Sequence, residues 1–152
     1  MGRVEEAIEH DRRAVELDPG DAEAHGNLGI ALAGQGRHAE AVAHYEAALA
    51  VAPGSAEVHN NLGSALARLG RVDEAVGHYA EAVRLRPGYG TAHYNLATAF
   101  YLKSRFEEAW REVRAARDRG YAPPQRFLDL LSAKMPEPRA GSANDAGGRR
   151  GE

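Results

Sequence analysis

Seven histidines stand at positions 10, 25, 38, 44, 59, 78 and 93, and six of them form two series. His25, His59 and His93 recur every 34 residues, and so do His10, His44 and His78. Neutral imidazoles are common metal ligands, so the first chemistry such a series suggests is a metal site. Equivalent positions on packed helices, however, lie about 8–10 Å apart, too far to share one ion. The chain has no cysteine, and no clustered carboxylates complete a ligand set. The histidines are therefore expected to be structural or surface groups, with no metal and no cofactor.

Catalytic chemistry finds no better support. Ser55, Ser64, Ser104, Ser132 and Ser142 belong to no nucleophile motif, and no glycine-rich phosphate loop follows a strand. A nucleophile and its base must be held within mutual reach, and no such arrangement is specified here. The chain is read as a non-enzyme. Arg111, Arg114 and Arg117 make a helical stripe, but Glu107, Glu108, Glu112 and Asp118 interleave with it, as on a solvated face. The sharpest polar signal is Asn27, Asn61 and Asn95, again 34 residues apart, although asparagine is a mediocre helix former.

What must position these groups is an internal repeat. HGNLGIAL at His25, HNNLGSAL at His59 and HYNLATAF at His93 are one phrase written three times. Residues 22–55 and 56–89 align without a gap and share 19 of 34 positions. A looser copy starts at Gly90, and a half-copy precedes them all, with Ala7, Ala14 and Pro19 in step. Such a period is the signature of a repeat architecture.

Each unit reads as two helices. Ala24, Leu28, Ala31 and Leu32 make one apolar face, and Ala41, Val42, Tyr45, Ala48 and Leu49 make another. Gly36 and Gly70 close the first helix of their units, because glycine enters the left-handed conformation without a Cβ penalty. Pro53 and Pro87 stop the second. Asp21 and Ser55 stand where they can cap the next helix, with Glu23 and Glu57 in its positive first turn. Gly29 and Gly63 sit mid-helix at a cost of up to about 1 kcal/mol each, which implies a close approach. Ala41, Ala75 and Ala109 are expected opposite them, and Tyr45 and Tyr79 are expected to fill the space between successive pairs.

The unit resembles the tetratricopeptide repeat, a 34-residue helix–turn–helix. The resemblance is carried by His25-x-x-Leu28-Gly29-x-x-Leu32, Ala41-x-x-x-Tyr45, Ala48 and Pro53, with their equivalents 34 residues on, and covers roughly 2–122. Asp11 and Val113 replace the aromatic found at Tyr45 and Tyr79, and Ala97 and Ser104 replace the glycines of the third unit. The resemblance implies an all-α, right-handed α-solenoid of tandem repeats with a C-terminal capping helix. The expected divisions are a half repeat at 2–21, repeats at 22–55, 56–89 and 90–122, and a cap at 123–134, together an array over 1–134. In the cap, Phe127, Leu128, Leu130 and Leu131 share one side. From Met135 to Glu152 the chain is almost without large apolar residues and is expected to be disordered.

In this family the first helices line a concave groove that holds extended peptides. The resemblance thus implies a protein-interaction scaffold with a site at Asn27, Asn60, Asn61, Ser64, Arg68, Tyr94, Asn95, Thr98 and Tyr101. Tyr94 and Tyr101 would be its apolar anchors. The asparagines could bond a peptide backbone, bond within their own helix pair, or do both. A clamp for chaperone C-termini is disfavoured, since only Asn61 agrees with its diagnostic positions. Two alternatives remain. One is the substrate-recruiting arm of a larger enzyme such as a glycosyltransferase. The other is self-assembly through an apolar strip of Val4, Ile8 and Val15 on the unpaired first helix.

Bulk composition sets the remaining expectations. A net charge of −3 and a pI of about 6.2 give no field for nucleic acid or an acidic membrane. MGRVEEAIEH has no apolar leader core, so the protein is read as cytoplasmic. Its 17 arginines against Lys103 and Lys134 resemble the usage of a GC-rich bacterium.

Overall fold

The computed structural model describes residues 2–138, and among them eight helices and no strand. They are α1 (Gly2–Leu17), α2 (Ala22–Gly34), α3 (His38–Val51), α4 (Ala56–Arg68), α5 (Val72–Leu85), α6 (Gly90–Leu102), α7 (Phe106–Asp118) and α8 (Gln125–Lys134). The pairs α2–α3, α4–α5 and α6–α7 pack most densely, and α1, α3 and α5 each lie against the first helix of the next unit. The first helices also touch one another, α2 with α4 and α4 with α6. They therefore form the inner, concave side of an all-α right-handed solenoid.

Local chemistry repeats with the period. The Asp21 carboxylate accepts from the Ala24 N–H at 2.9 Å, and the Ser55 hydroxyl accepts from the Val58 N–H at 3.3 Å. Each satisfies a donor that the first turn leaves free. The turn inside each unit has a residue in the left-handed region: Gly36 and Gly70 at φ 78°, and Ser104 at φ 58°. The same carbonyl-capping bonds follow in all three, Arg37 to Leu32, Arg71 to Leu66 and Arg105 to Phe100. Ser104 thus keeps a geometry that glycine adopts more cheaply. The second helices begin with a guanidinium–carboxylate fork, Arg37–Glu40, Arg71–Glu74 and Arg105–Glu108.

Ala41, Ala75 and Ala109 are fully buried, and around them pack Leu28, Leu32, Leu62, Leu66, Trp110 and Val113. Tyr45 borders the next unit, lining a hollow with Ser64 and Ala65, and each tyrosine also packs inside its own unit. A Cβ on Gly29 would fall 2.5 Å from Tyr45 Cε1, and one on Gly63 would fall 2.8 Å from Tyr79 Cε1. Each glycine is the floor on which a tyrosine of the same unit lies. In the third unit Ala97 and Val113 occupy the same two places, both fully buried. A small ring-free partner allows the larger floor.

The ends differ from expectation in three places. Ile8 is 5% exposed, because α1 lays it on the core alongside α2, so it adds nothing to an exposed strip. Val15 is half-buried against the same cluster, and the Val4 side chain lies outside those described. In α8, Phe127 and Leu131 are buried and Leu128 partly so, whereas Leu130 is 47% exposed and points away from the others. The segment after α8 does not leave the surface at 135. The Trp110 indole N–H donates to the Met135 carbonyl at 2.8 Å, and Arg117 pairs with Glu137 at 3.0 Å. The rest of the expected tail, 139–152, lies outside the described residues.

Candidate functional site

The concave side between α2 and α4 is open. One hollow of about 360 Å³ is lined by Gly26, Ala48 and Val58 on its buried side and by Glu23, Asn27, Ala52, Ser55, Glu57 and Asn61 around them. A second, of about 350 Å³, is lined by Ala33, His38, Tyr45, Ser64, Ala65 and Arg68. Ile30 and Asn61 line both, so the two hollows form one valley. Ile30 is 54% exposed, a large apolar side chain standing in the middle of that valley. Exposed apolar groups with a polar rim are what interaction surfaces are made of.

The polar groups of this face are in different states of use. Asn95 donates through Nδ2 to Asn60 Oδ1 at 2.9 Å, a bond between neighbouring units rather than within one. Ser64 Oγ donates to the Asn60 carbonyl at 3.0 Å and receives the Tyr79 hydroxyl at 3.2 Å. Burial pushes the Tyr79 phenol above its usual range, against the lowering effect of that bond. Burial pushes the Tyr45 phenol up to about 12. Asn27 and Asn61, by contrast, make no side-chain hydrogen bond among the described residues.

Further along, Phe127 of α8 meets Tyr94 edge-on at 5.4 Å between ring centres and Tyr101 at 5.8 Å. Tyr94 also stacks on Tyr121 at 5.3 Å. The cap therefore takes up Tyr94 and Tyr101, the two aromatics expected to anchor a peptide.

The histidines are joined across each unit. His25 Nδ1 lies 3.0 Å from His44 Nδ1, and His59 Nδ1 lies 3.0 Å from His78 Nδ1. The His59 and His78 ring centres are 5.3 Å apart, so each nitrogen sits near the line between them. That is the geometry of one shared N–H, not of two lone pairs converging on an ion. In the third unit Glu112 takes the second place, 2.6 Å from His93 Nδ1. Among the described residues no group of three or more such ligands could hold a metal, and no helix is long and apolar enough to cross a membrane.

The tetratricopeptide repeat family profile matches residues 1–56, 27–90 and 61–123 in overlapping copies. The chain belongs to the tetratricopeptide repeat family. Its fold is that of MamA: a MamA crystal structure superposes with a TM-score of 0.74 at 24% identity, covering 83% of this chain and 71% of that one. MamA MSR-1 C2 gives 0.70 at 27% identity over 78% and 68%. A double mutant of MamA RS-1 gives 0.78 at 22% over 88% and 76%. No curated protein matches the chain.

Against this tetratricopeptide frame the expected site divides. Asn27, Asn61, Ser64 and Arg68 meet around the open valley. Asn60 is 6% exposed and spends its amide on Asn95. Thr98 donates to the Tyr94 carbonyl of its own helix at 3.0 Å. Ile30, Val58, His38, Glu23 and Glu57 also line the valley and were not among the expected site residues. The signal for Ile30 was its lone bulk among small residues on that helix face.

Proposed function

We propose that this chain is a protein-interaction scaffold whose valley between α2 and α4 holds an extended segment of a partner protein. The observation that carries the reading is the combination of an exposed Ile30 with side-chain amides at Asn27 and Asn61 that have no partner within the described residues. An extended chain brings unpaired backbone N–H and C=O groups, which such amides satisfy, and apolar side chains for Ile30 to cover. The third unit contributes less, since Phe127 already rests on Tyr94 and Tyr101. The role is binding rather than catalysis, in keeping with the repeat family.

Calorimetric titration of the full chain with a display-selected peptide tests this. Asn61→Ala removes a bond of about 0.5–1.5 kcal/mol and should weaken binding several-fold at an unchanged melting temperature. Ile30→Arg should remove binding altogether. If Asn61→Ala lowers melting while the folded fraction binds as before, the amide serves the fold and the valley assignment fails.

A further inference from the structure

The two hollows of the valley carry opposite charge. In the first, Glu23 and Glu57 stand at the rim of an apolar floor. Glu57 is bridged to Arg86 at 3.0 Å, but both side chains are more than half exposed, so the pair is weak and easily shared. Glu23 forms no ion pair among the described residues. In the second hollow the charged group is Arg68, likewise without an ion pair among the described residues. His38 lines the same hollow, and its buried Nδ1 has no hydrogen-bond partner. An apolar floor with a carboxylate rim suits a long cationic side chain, stem on the floor and head at the rim. A guanidinium with no ion pair of its own suits a carboxylate.

The spacing of the hollows constrains what spans them. Gly26 and Ala33 are seven residues apart on α2, as are Val58 and Ala65 on α4, which is about 10 Å along a helix. A polyproline-type chain returns to the same face every three residues, about 9 Å on. Ile30 lies between the two ends.

Resting on the valley as the binding surface, we propose that it selects a zwitterionic peptide segment. A lysine or arginine enters the hollow of Glu23 and Glu57, and an aspartate or glutamate three residues away enters the hollow of Arg68 and His38. The stretch of chain between them lies over Ile30. The overall charge of the chain, only −3, is consistent with selection by a local pattern rather than by a net field.

The test is selection of a randomised decapeptide display library on the purified full chain, in parallel with the Arg68→Glu and Ile30→Arg variants. Melting curves on all three proteins establish that they are folded. The wild type should enrich peptides with opposite charges three residues apart by about tenfold over like-charged ones, the factor that one or two exposed ion pairs supply. Arg68→Glu should exchange the acidic position for lysine or arginine, and Ile30→Arg should abolish enrichment. Enriched peptides that need Ile30 but carry no charge pattern would overturn the proposal and leave the valley standing. Enrichment that survives Ile30→Arg would remove the valley, and the charge pattern with it.

Discussion

His59 and His78 face each other through their Nδ1 atoms at 3.0 Å, across the two helices of one repeat. His59 Nε2 also lies 3.1 Å from the Pro53 carbonyl, which can only accept. His59 therefore carries its proton on Nε2, and its bare Nδ1 accepts the N–H of His78. The pair is content with one proton between its facing nitrogens. A second would set N–H against N–H.

This arrangement predicts acid sensitivity. Burial, then the neighbouring imidazole, holds both His44 and His78 below the ordinary histidine range. Arg12 adds to this at His44 and Arg71 at His78, while Glu40 opposes it at His44, and Glu46 and Glu74 oppose it at His78. Unfolded imidazoles take up a proton near pH 6.5, and folded His44 and His78 resist doing so. The unfolded state then binds more protons, so stability is full above about pH 7 and falls as the pH drops through about 6.5. The melting temperature should fall by several degrees between pH 7.5 and 5.5. His78→Glu, which copies the His93–Glu112 arrangement, should reduce that fall, and an identical pH profile in the variant would exclude the His59–His78 pair as its source.

The glycine floors predict a non-additive cycle. Gly63→Ala drives a methyl into a buried tyrosine ring and should cost about 1–3 kcal/mol. The third unit has already solved this problem with Ala97 and Val113. Adding Tyr79→Val to Gly63→Ala should therefore cost less than the sum of the two single changes. Denaturant melts of the four proteins measure the coupling, and strict additivity would mean that the methyl and the ring do not meet.

How much of this was legible in the sequence depends on what each residue type encodes. The helices, their caps and their turns were legible because Asp21, Ser55, Gly36 and Gly70 act on backbone within a few residues of themselves. The Gly29–Tyr45 contact was not legible because composition gives volumes but not which two surfaces meet. The histidine pairs were missed because each series was read alone. Their constant offset of 19 residues, repeated at His93 and Glu112, was the available signal. The covering of Tyr94 and Tyr101 by Phe127 was not legible, since it depends on how α8 folds back on α6.

The C-terminal end predicts a sharp boundary. Truncation after residue 138 should leave melting unchanged within a degree or two. Truncation after residue 134 removes the acceptor of the buried Trp110 N–H and should cost about 1–3 kcal/mol. Phe127→Ala should cost more, about 3–5 kcal/mol, as it empties the contact with both tyrosines. A full-chain melt unchanged by Phe127→Ala would show that the cap is not docked in solution.

The most direct measurement is a backbone amide NMR titration of the full chain with a peptide taken from the display selection. With the valley as the binding surface, the perturbed signals cluster at Gly26, Asn27, Ile30, Asn61, Ser64 and Arg68, and the outer helices α3 and α5 change little away from it. Perturbations centred on the outer faces of α3 and α5, with Ile30 and Asn61 unmoved, would contradict that placement.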